Sequence, residues 1–289
     1  MTNDIKTSTV ITDELTRKVD FALRLLRSIP TDEGPVEISY SGGKDSDVIL
    51  ELAKMAGIPY RAIYKNSTID PPGTIAHCRA MGAEILAPRV NFFDLVRRKG
   101  LPTRWRRFCC DYLKEYKVLD RAVHGIRRAE SVRRDKRYRE PEVCRVYPRK
   151  QGKCRVYLPI LEWTDEDEAQ FIAERGIQCH PIYYDELGNF HVERRLGCIG
   201  CPLRGDQGKA DFLKYPGFLR QLIRALHVYR ETHPRGAFVT KFKDEYEHMF
   251  CHIFFRRYYK CLEVSSGGLF PETAIDAKAF LEDYFKIDL

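Results

Sequence analysis

The sequence predicts an α/β fold in which a parallel β-sheet is flanked by helices and is followed by a C-terminal helical region. Short β-rich runs alternate with helical patterns from residue 36 to about residue 100, and this alternation is typical of parallel sheets covered by helices. After about residue 205 the apolar residues recur only at helical spacing. We therefore expect two domains, 1–205 and 206–289.

The elements of the first half follow from periodicity and from Gly and Pro residues that end each run. The predicted order is a helix over Asp13–Ser28, a strand over Val36–Tyr40, a glycine turn and a helix through Val48–Ala53, a strand over Tyr60–Tyr64, a helix after Pro71-Pro72, a strand over Glu84–Ala87 and a helix from Phe92. Each of these three strands is thus followed by a helix.

The second half contains one predicted hairpin and three long helical runs. Cys144–Tyr147 recurs as Cys154–Tyr157 across a turn that contains Gly152, which predicts a β-hairpin inserted around 138–157. Cys144 and Cys154 either face each other as a metal or redox pair or are small buried residues; we favour the second. The helical runs are Phe218–Tyr229, Phe242–Tyr259 and Ala274–Phe285.

Composition excludes several classes of protein. With 44% hydrophobic and 31% charged residues, 19 Gly and 15 Pro, the chain is neither collagenous nor disordered. No apolar run has the length of a membrane span, and Met1–Thr9 lacks the apolar core of a signal peptide. We expect a cytoplasmic protein without a membrane partner. Ten cysteines in that reducing compartment favour metal or redox chemistry over disulfides.

The hexapeptide Ser-Gly-Gly-Lys-Asp-Ser at 41–46 joins the first strand to the next helix. Glycines let the backbone approach phosphate oxygens, and the helix N-terminus and Lys44 both favour negative charge. It is not a P-loop of the Gly-x-x-x-x-Gly-Lys-Ser/Thr type, because Ile38 stands at the first glycine position. We expect an exposed phosphate-binding loop rather than an ordinary turn. Its binding residues are Ser41, Gly42, Gly43, Lys44, Asp45 and Ser46.

Two cysteine pairs form a second candidate site. Cys109-Cys110 precedes Cys198-Ile199-Gly200-Cys201, with 88 residues from Cys110 to Cys198. Four thiolates in two such pairs suit a tetrahedral metal ion or an iron–sulfur cluster. Spacing alone does not separate zinc from iron.

Positive charge is concentrated between Arg121 and Arg155. That segment holds 13 Lys and Arg against 4 Asp and Glu, whereas the whole chain has a net charge of +8. The segment either attracts a polyanion or is a solvated, salt-bridged surface. We slightly favour a nucleic-acid acceptor bound through Arg133, Lys136, Arg137, Arg139 and Arg149.

The region from Val36 to Arg204 resembles the phosphoadenosine phosphosulfate (PAPS) reductase family, and its hexapeptide is identical to the PP-loop of N-type ATP pyrophosphatases. Further segments similar to this family are Gly125–Arg134, Leu158–Asp167 and His180–Gly188. The resemblance implies that 1–205 binds ATP or a sulfonucleotide with Mg²⁺. It also implies catalytic roles for Lys44, Asp45, Arg127, Arg128 and Arg134, and a [4Fe–4S] cluster, with zinc the less favoured occupant, on Cys109, Cys110, Cys198 and Cys201.

Two departures from the family's reductases decide between activities. Reductases usually have a degraded PP-loop, whereas this chain keeps the whole hexapeptide. They also end in a Glu-Cys-Gly motif whose cysteine attacks the sulfate sulfur, and that motif is missing here. We therefore expect an enzyme that cleaves ATP to AMP and pyrophosphate in adenylation-driven sulfur transfer, supplied by a sulfur-donor protein. The alternatives are a sulfonucleotide reductase that releases sulfite and a non-catalytic nucleotide- or nucleic-acid-binding regulator. The oligomeric state stays open.

Overall fold

The computed structural model describes residues 13–147, 152–236, 239–255 and 276–289. The chain divides into two compact units. Unit 1 comprises Met1–Asn66, Asp70–Pro88 and Lys114–Gly197, and unit 2 comprises Ser67–Ile69, Arg89–Leu113 and Cys198–Leu289. Both cysteine pairs thus belong to unit 2, together with the C-terminal helices. The domain boundary at residue 205 stays a prediction.

Unit 1 is built on a six-stranded sheet, and the predicted α/β class is confirmed. The strands are β1 (Val36–Tyr40), β2 (Tyr60–Lys65), β3 (Glu84–Leu86), β4 (Arg121–Val123), β5 (Glu142–Val146) and β6 (Lys153–Tyr157). They lie in the order β3-β2-β1-β4-β6-β5, and only β5 is antiparallel to its neighbour.

β1 occupies the centre of this sheet, with β2 on one side and β4 on the other. From β1 the chain first builds outward through β2 and β3 and then returns to build the other half from β4. In open α/β sheets, ligands bind outside the carboxyl ends of the strands at the point where the strand order reverses. The turns that follow Tyr40 and Val123 meet at this point.

The helices of unit 1 begin and end largely where the sequence predicts. They are α1 (Asp13–Arg27), α2 (Lys44–Ala56), α3 (Thr74–Ala80), α6 (Val132–Arg137) and α7 (Asp165–Arg175). α7 begins with a capping box, in which Thr164 and Asp167 bond each other's backbone N–H groups. It ends at Gly176, which adopts the left-handed conformation.

The predicted hairpin forms, but its two strands contribute differently. β6 is part of the main sheet because it pairs in parallel with β4, and β5 adds an antiparallel edge. Cys144 pairs with Arg155 and is exposed, whereas Cys154 pairs with Arg145 and is buried. Paired residues share a face of the sheet, so the two cysteines lie on opposite faces. The metal or redox pair is excluded, and the favoured buried role fits Cys154 alone.

The helices of unit 2 are α4 (Phe92–Lys99), α5 (Phe108–Leu113), α8 (Asp206–Lys214), α9 (Pro216–Thr232), α10 (Glu245–Phe254) and α11 (Ala277–Phe285). Their apolar faces form a separate core in which Leu95, Leu219 and Leu281 are wholly or almost wholly buried. The predicted run Phe218–Tyr229 corresponds to α9, and the described part of the run Ala274–Phe285 corresponds to α11. The first two residues of that second run lie outside the described residues. The end of the run Phe242–Tyr259 lies outside the described residues. Within the described ranges, no helix has the length and apolar character that crossing a membrane requires.

Candidate functional site

The predicted phosphate-binding loop lies at the carboxyl end of β1. Gly43 is the N-cap of α2 and makes no side-chain cap bond, and the Tyr183 hydroxyl accepts from the N–H of Lys44, the first residue of the helix. This end of α2 directs the positive end of the helix dipole at the loop. The hydroxyl of Ser46 donates to the Gly43 carbonyl at 2.6 Å. Gly42 has φ +77°, a conformation that side chains with a Cβ rarely adopt. The local geometry is that of an anion site.

Lys44 does not extend into solvent, which corrects the expectation of an exposed loop. Its side chain is 4% exposed, and its ammonium lies 2.5 Å from Oε2 of Glu168 and 3.4 Å from Oδ2 of Asp45. Glu168 belongs to α7 and is wholly buried. Because a buried ammonium requires a counter-charge, α7 holds the lysine in place beside the loop.

Arg127 completes this network from the turn after β4. Its guanidinium lies 2.7 Å from Asp45, 2.8 Å from Asp165 and 2.9 Å from Glu168. Arg127 is 1% exposed, yet among the described residues its Nη1 has no hydrogen-bond partner, and neither has Oε1 of Glu168. Buried polar atoms without partners are rare in folded proteins and often mark a ligand or water position.

The network shifts the pKa values of its two buried acids in opposite directions. Burial disfavours the charged form of both. The positive charges of Lys44 and Arg127 outweigh burial at Asp45 and hold its pKa below the usual range. At Glu168, burial and the charge of Asp45 prevail over the two cations and raise the pKa to about 8. The site thus contains one firmly ionised carboxylate and one that exchanges a proton near neutral pH.

Gly125 allows the turn after β4 to approach this loop. A Cβ at Gly125 would lie 2.7 Å from the backbone carbonyl oxygen of Asp45, which is closer than carbon and oxygen normally approach. Glycine is therefore required where the two turns meet. Tyr183, which is buried, accepts hydrogen bonds from the N–H groups of Lys44 and Leu196, both at 3.2 Å.

The three predicted arginines have different surroundings. Arg127 and Arg134 both interact electrostatically with Asp45. Arg134 forms an ion pair with Glu130, and burial lowers its pKa. Arg128 instead binds Asp135 at 2.7 Å and Glu162 at 2.8 Å, and these contacts do not involve the loop. Consecutive residues here diverge, so the pattern Arg-Arg does not place both side chains on one ligand.

Sequence reasoning missed three side chains of this site: Glu168, Tyr183 and Arg195. Arg195 donates to the Glu130 carbonyl at 3.1 Å and interacts electrostatically with Arg134. A signal existed for Tyr183, which lies in a segment that resembles the family, and for Glu168, which directly follows another such segment. Nothing in the local sequence pairs Glu168 with Lys44, because 124 residues separate them.

Beneath the loop, unit 1 contains a buried polar cluster of Tyr40, Asp47 and His77. Asp47 is wholly buried and accepts a hydrogen bond from Tyr40. Its carboxylate oxygens lie 3.1 and 3.2 Å from Nε2 of His77. Burial raises the pKa of Asp47, and the contacts with His77 and Tyr40 oppose that shift. The cluster joins β1, α2 and α3 below the phosphate site.

The four predicted cysteine ligands all belong to unit 2, and Cys109 interacts electrostatically with the other three. The pKa of Cys109 is raised by a hydrogen bond with Cys110, by burial, and by the charges of Cys110, Cys198 and Cys201. The Cys-x-x-Cys segment is ordered by two backbone bonds, from Ile199 to Ile69 at 2.8 Å and from Cys201 to Cys198 at 3.3 Å. Among the described residues, no group of three or more ligand side chains is arranged as a metal site. The donor set nevertheless fits a thiolate-bound centre, because cysteine sulfurs are ligands of zinc and iron and Cys109 interacts with the other three cysteines.

Many cations of the segment Arg121–Arg155 are neutralised locally. The ion pairs are Arg121–Glu33, Arg127 with Asp45, Asp165 and Glu168, Arg128 with Asp135 and Glu162, Arg134–Glu130, Arg145–Glu115 and Arg155–Glu142. Of the predicted nucleic-acid contacts, Arg133, Lys136, Arg137 and Arg139 are exposed, and Arg149 lies outside the described residues. The exposed cations therefore cluster on and just after α6.

Comparisons with known proteins identify a domain family and several relatives. Residues 35–204 match the phosphoadenosine phosphosulfate reductase domain. An uncharacterised protein of Methanocaldococcus jannaschii is 28% identical over 212 residues, which are 66% of this chain and 47% of that protein. Sulfate adenylyltransferase subunit 2 of Shewanella frigidimarina is 26% identical over 197 residues, which cover 56% of this chain and 65% of that subunit. These two matches thus span less than two thirds of either relative.

One solved structure among the similar folds is a phosphoadenylyl-sulfate reductase from Candida auris in complex with phosphate. It is 13% identical with a TM-score of 0.43, and the match covers 65% of this chain and 96% of that one.

Proposed function

Since the chain belongs to the phosphoadenosine phosphosulfate reductase domain family, we propose that it binds ATP at the loop Ser41–Ser46 and cleaves it to AMP and pyrophosphate. An oxygen of an acceptor attacks the α-phosphorus, and the bond from that phosphorus to the β-phosphate oxygen breaks, so that pyrophosphate leaves. A sulfur nucleophile from a donor protein then displaces AMP from the acceptor. ATP cleavage thus activates the acceptor for sulfur transfer.

The observation that carries this proposal is the intact loop beside an unpartnered, buried guanidinium nitrogen of Arg127. A phosphate oxygen is the acceptor that such a donor lacks, and a charge-assisted bond of this kind is strong.

The side chains of the network have separate roles in the proposed reaction. Lys44 and Arg127 would stabilise the charge that develops on the leaving pyrophosphate, and Arg134 would contribute from the same side. Mg²⁺ prefers phosphate oxygens with one or two carboxylates. Asp45 and Asp165 are the partly exposed carboxylates here, with side chains 22% and 50% exposed, and would hold the ion that accompanies ATP.

Glu168 would regulate how strongly Lys44 binds the phosphates of ATP. An ionised Glu168 competes with ATP for both cations, whereas protonation releases them. Its pKa near 8 allows this exchange close to physiological pH.

We further propose that Cys109, Cys110, Cys198 and Cys201 would hold a [4Fe–4S] cluster. The support is the electrostatic interaction of Cys109 with the other three cysteines of unit 2, a donor set that also suits zinc. When bound, such a cluster supplies redox chemistry or a sulfur-binding iron. Anaerobic purification with iron, sulfide and zinc analysis tests the assignment, and stoichiometric zinc without iron would contradict it.

A nucleic acid is our proposed acceptor, and the exposed cations on and after α6 support it. Arg133, Lys136, Arg137 and Arg139 lie close together in sequence and form no ion pair with a carboxylate among the described residues. Binding through them should weaken steeply with salt. Replacing one phosphate-contacting residue should shallow the salt dependence by about one unit of slope.

Two nucleotide assays separate the proposed activity from its alternatives. Release of pyrophosphate and AMP from ATP is the expected result. Thiol-dependent sulfite release from a sulfonucleotide, without pyrophosphate from ATP, would replace the proposal with a reductase. Tight nucleotide binding with turnover of neither substrate would indicate a regulator that has kept the fold.

A further inference from the structure

Unit 2 contains a cavity of about 660 Å³ next to the Cys-x-x-Cys segment. Its wall includes Cys201, the residues after α4 and side chains from α8, α9 and α10. The volume falls within the range of pockets that bind small organic ligands or a single nucleotide. Nothing in the proposed ATP chemistry of unit 1 uses this cavity.

The lining of the cavity carries an excess of positive charge. Its described cations are Lys99, Arg104, Arg106, Lys209 and Lys241. The only acid among the described lining residues is Asp206. His248 and His252 also line it, and burial lowers the pKa of His248 to about 3 and of His252 to about 4, so both are neutral at pH 7. A ligand with several negative charges fits this wall.

The same cavity includes an aromatic side chain with an open face. Trp105 is 93% exposed, although large aromatic residues normally bury most of their surface. It lies on a hydrogen-bonded turn, in which Thr103 N–H donates to the Arg106 carbonyl at 3.1 Å and the Thr103 hydroxyl accepts from Trp105 and Arg106. The indole is therefore presented on an ordered turn, between two arginines.

We propose that this cavity binds one nucleotide of a single-stranded nucleic acid, RNA or DNA, with its base stacked on Trp105. Arg104, Arg106 and the neighbouring lysines would contact the flanking phosphates. Single-strand binding combines aromatic stacking platforms with cationic grooves in this way. An acidic peptide would use the cations but not the indole face, and a duplex keeps its bases stacked inside. Identifying this nucleotide as the sulfur acceptor rests on the proposed function, whereas the binding itself does not.

The experiment measures fluorescence anisotropy of labelled eight-residue RNA and DNA strands of one sequence, without ATP, on the full chain. Trp105→Ala should weaken binding of the preferred strand roughly 5-fold to 150-fold, the range for loss of one base stack. Trp105→Phe should restore most of the affinity. Arg224→Ala is the matched control, because Arg224 is an exposed cation of unit 2 that does not line the cavity.

Intrinsic fluorescence gives a second readout. The chain has two tryptophans, and the other, Trp163, is 1% exposed. Stacking should quench Trp105, so the titration should change the wild-type emission and leave Trp105→Phe unchanged. The strand that binds with the higher affinity, RNA or DNA, identifies the natural ligand.

Three results would overturn the inference. They are equal binding by wild type and Trp105→Ala, tighter binding of the matching duplex than of either strand, and displacement of the strand by poly-glutamate at equal charge concentration. The last would assign the cavity to an acidic polypeptide. Strand binding is measured without ATP, so its result does not depend on whether the protein releases pyrophosphate. The ATP assay in turn does not depend on strand binding.

Discussion

The ammonium nitrogen of Lys44 lies 2.5 Å from Oε2 of Glu168, and both side chains are almost completely closed off from solvent. The lysine of the phosphate loop is therefore part of the core of unit 1. A substitution at either residue must change stability as well as ligand binding, because it disturbs a buried network in which Glu168 also contacts Arg127 and Lys44 also contacts Asp45.

Lys44→Ala should abolish pyrophosphate release and lower the free energy of unfolding by about 3 kcal/mol, the lower end for a broken buried ion pair. Lys44→Ala with Glu168→Gln should recover part of that stability, because the buried acid that has lost one of its two cations is replaced by a neutral amide, while pyrophosphate release stays lost. Urea denaturation and a pyrophosphate assay on the single and double variants measure both effects. Full turnover in the stable double variant would show that the active site lies elsewhere.

ATP affinity should fall as pH rises through about 8. The folded-state pKa of Glu168 is raised to about 8, so the acid is mostly protonated below that pH and mostly ionised above it. The ionised form repels phosphate and retains Lys44, and the loss of affinity should approach tenfold per pH unit above the pKa. Calorimetric titrations between pH 6.5 and 9.5 test this, with Glu168→Gln as the comparison. An equally steep decline in that variant would assign the titration to another group.

Gly125→Ala should weaken ATP binding at least tenfold, because the new Cβ would contact the Asp45 carbonyl oxygen at 2.7 Å and push the two turns apart. Gly217→Ala is the matched control. A Cβ at Gly217 meets nothing within 4 Å, and alanine suits a helix better than glycine does. Nucleotide titration of both variants, with thermal denaturation, separates the effects. Normal ATP affinity in Gly125→Ala would show that the turns do not need this close approach.

Arg127→Ala should eliminate pyrophosphate release, whereas Arg128→Ala should retain it within about a factor of two. Arg127 contacts Asp45 and Glu168 in the network, but Arg128 binds Asp135 and Glu162 at the surface. Surface ion pairs contribute little to stability, so Arg128→Ala should also unfold like the wild type. Initial rates at saturating ATP provide the comparison. Equal losses of pyrophosphate release in the two variants would support the catalytic role that the sequence predicts for Arg128.

Cys198→Ser and Cys201→Ser should each lose the iron and brown colour expected of the anaerobically purified protein, and both should unfold more easily, because metal ligation contributes to folding. Cys144→Ser is the control, since Cys144 is exposed on the edge strand of unit 1. Iron analysis and the visible spectrum report the outcome. Unchanged iron content in both variants would exclude this pair as ligands.

Most elements of the fold could be predicted because they depend on local patterns. The strand Val36–Tyr40 and the start of α4 at Phe92 follow from apolar periodicity and adjacent turn residues. The hairpin followed from a repeated tetrapeptide. That β6 belongs to the main sheet could not be predicted, because its partner β4 is specified by tertiary packing rather than by residues near the turn.

The candidate site also has a part that the sequence predicts and a part that depends on tertiary contacts. The loop Ser41–Ser46 is a continuous motif, so its position was predictable. The burial of Lys44 depends on Glu168, which comes from a different helix, and no spacing rule links them. The divergence of Arg127 and Arg128 depends on how the turn after β4 leaves the sheet, which a dipeptide does not reveal.

The pairing of β1 with β4 joins Glu37 to Ala122, two residues that are 85 positions apart in the chain. Contacts of such long range require the closure of a large loop and slow folding. The phosphate loop meets Arg127 only after this pairing has formed, so a nascent or partly folded chain has no complete nucleotide site. In the proposed function, ATP therefore binds only the folded protein. The fraction of unfolded protein, and with it the rate of proteolysis, should fall as the ATP concentration rises above the dissociation constant.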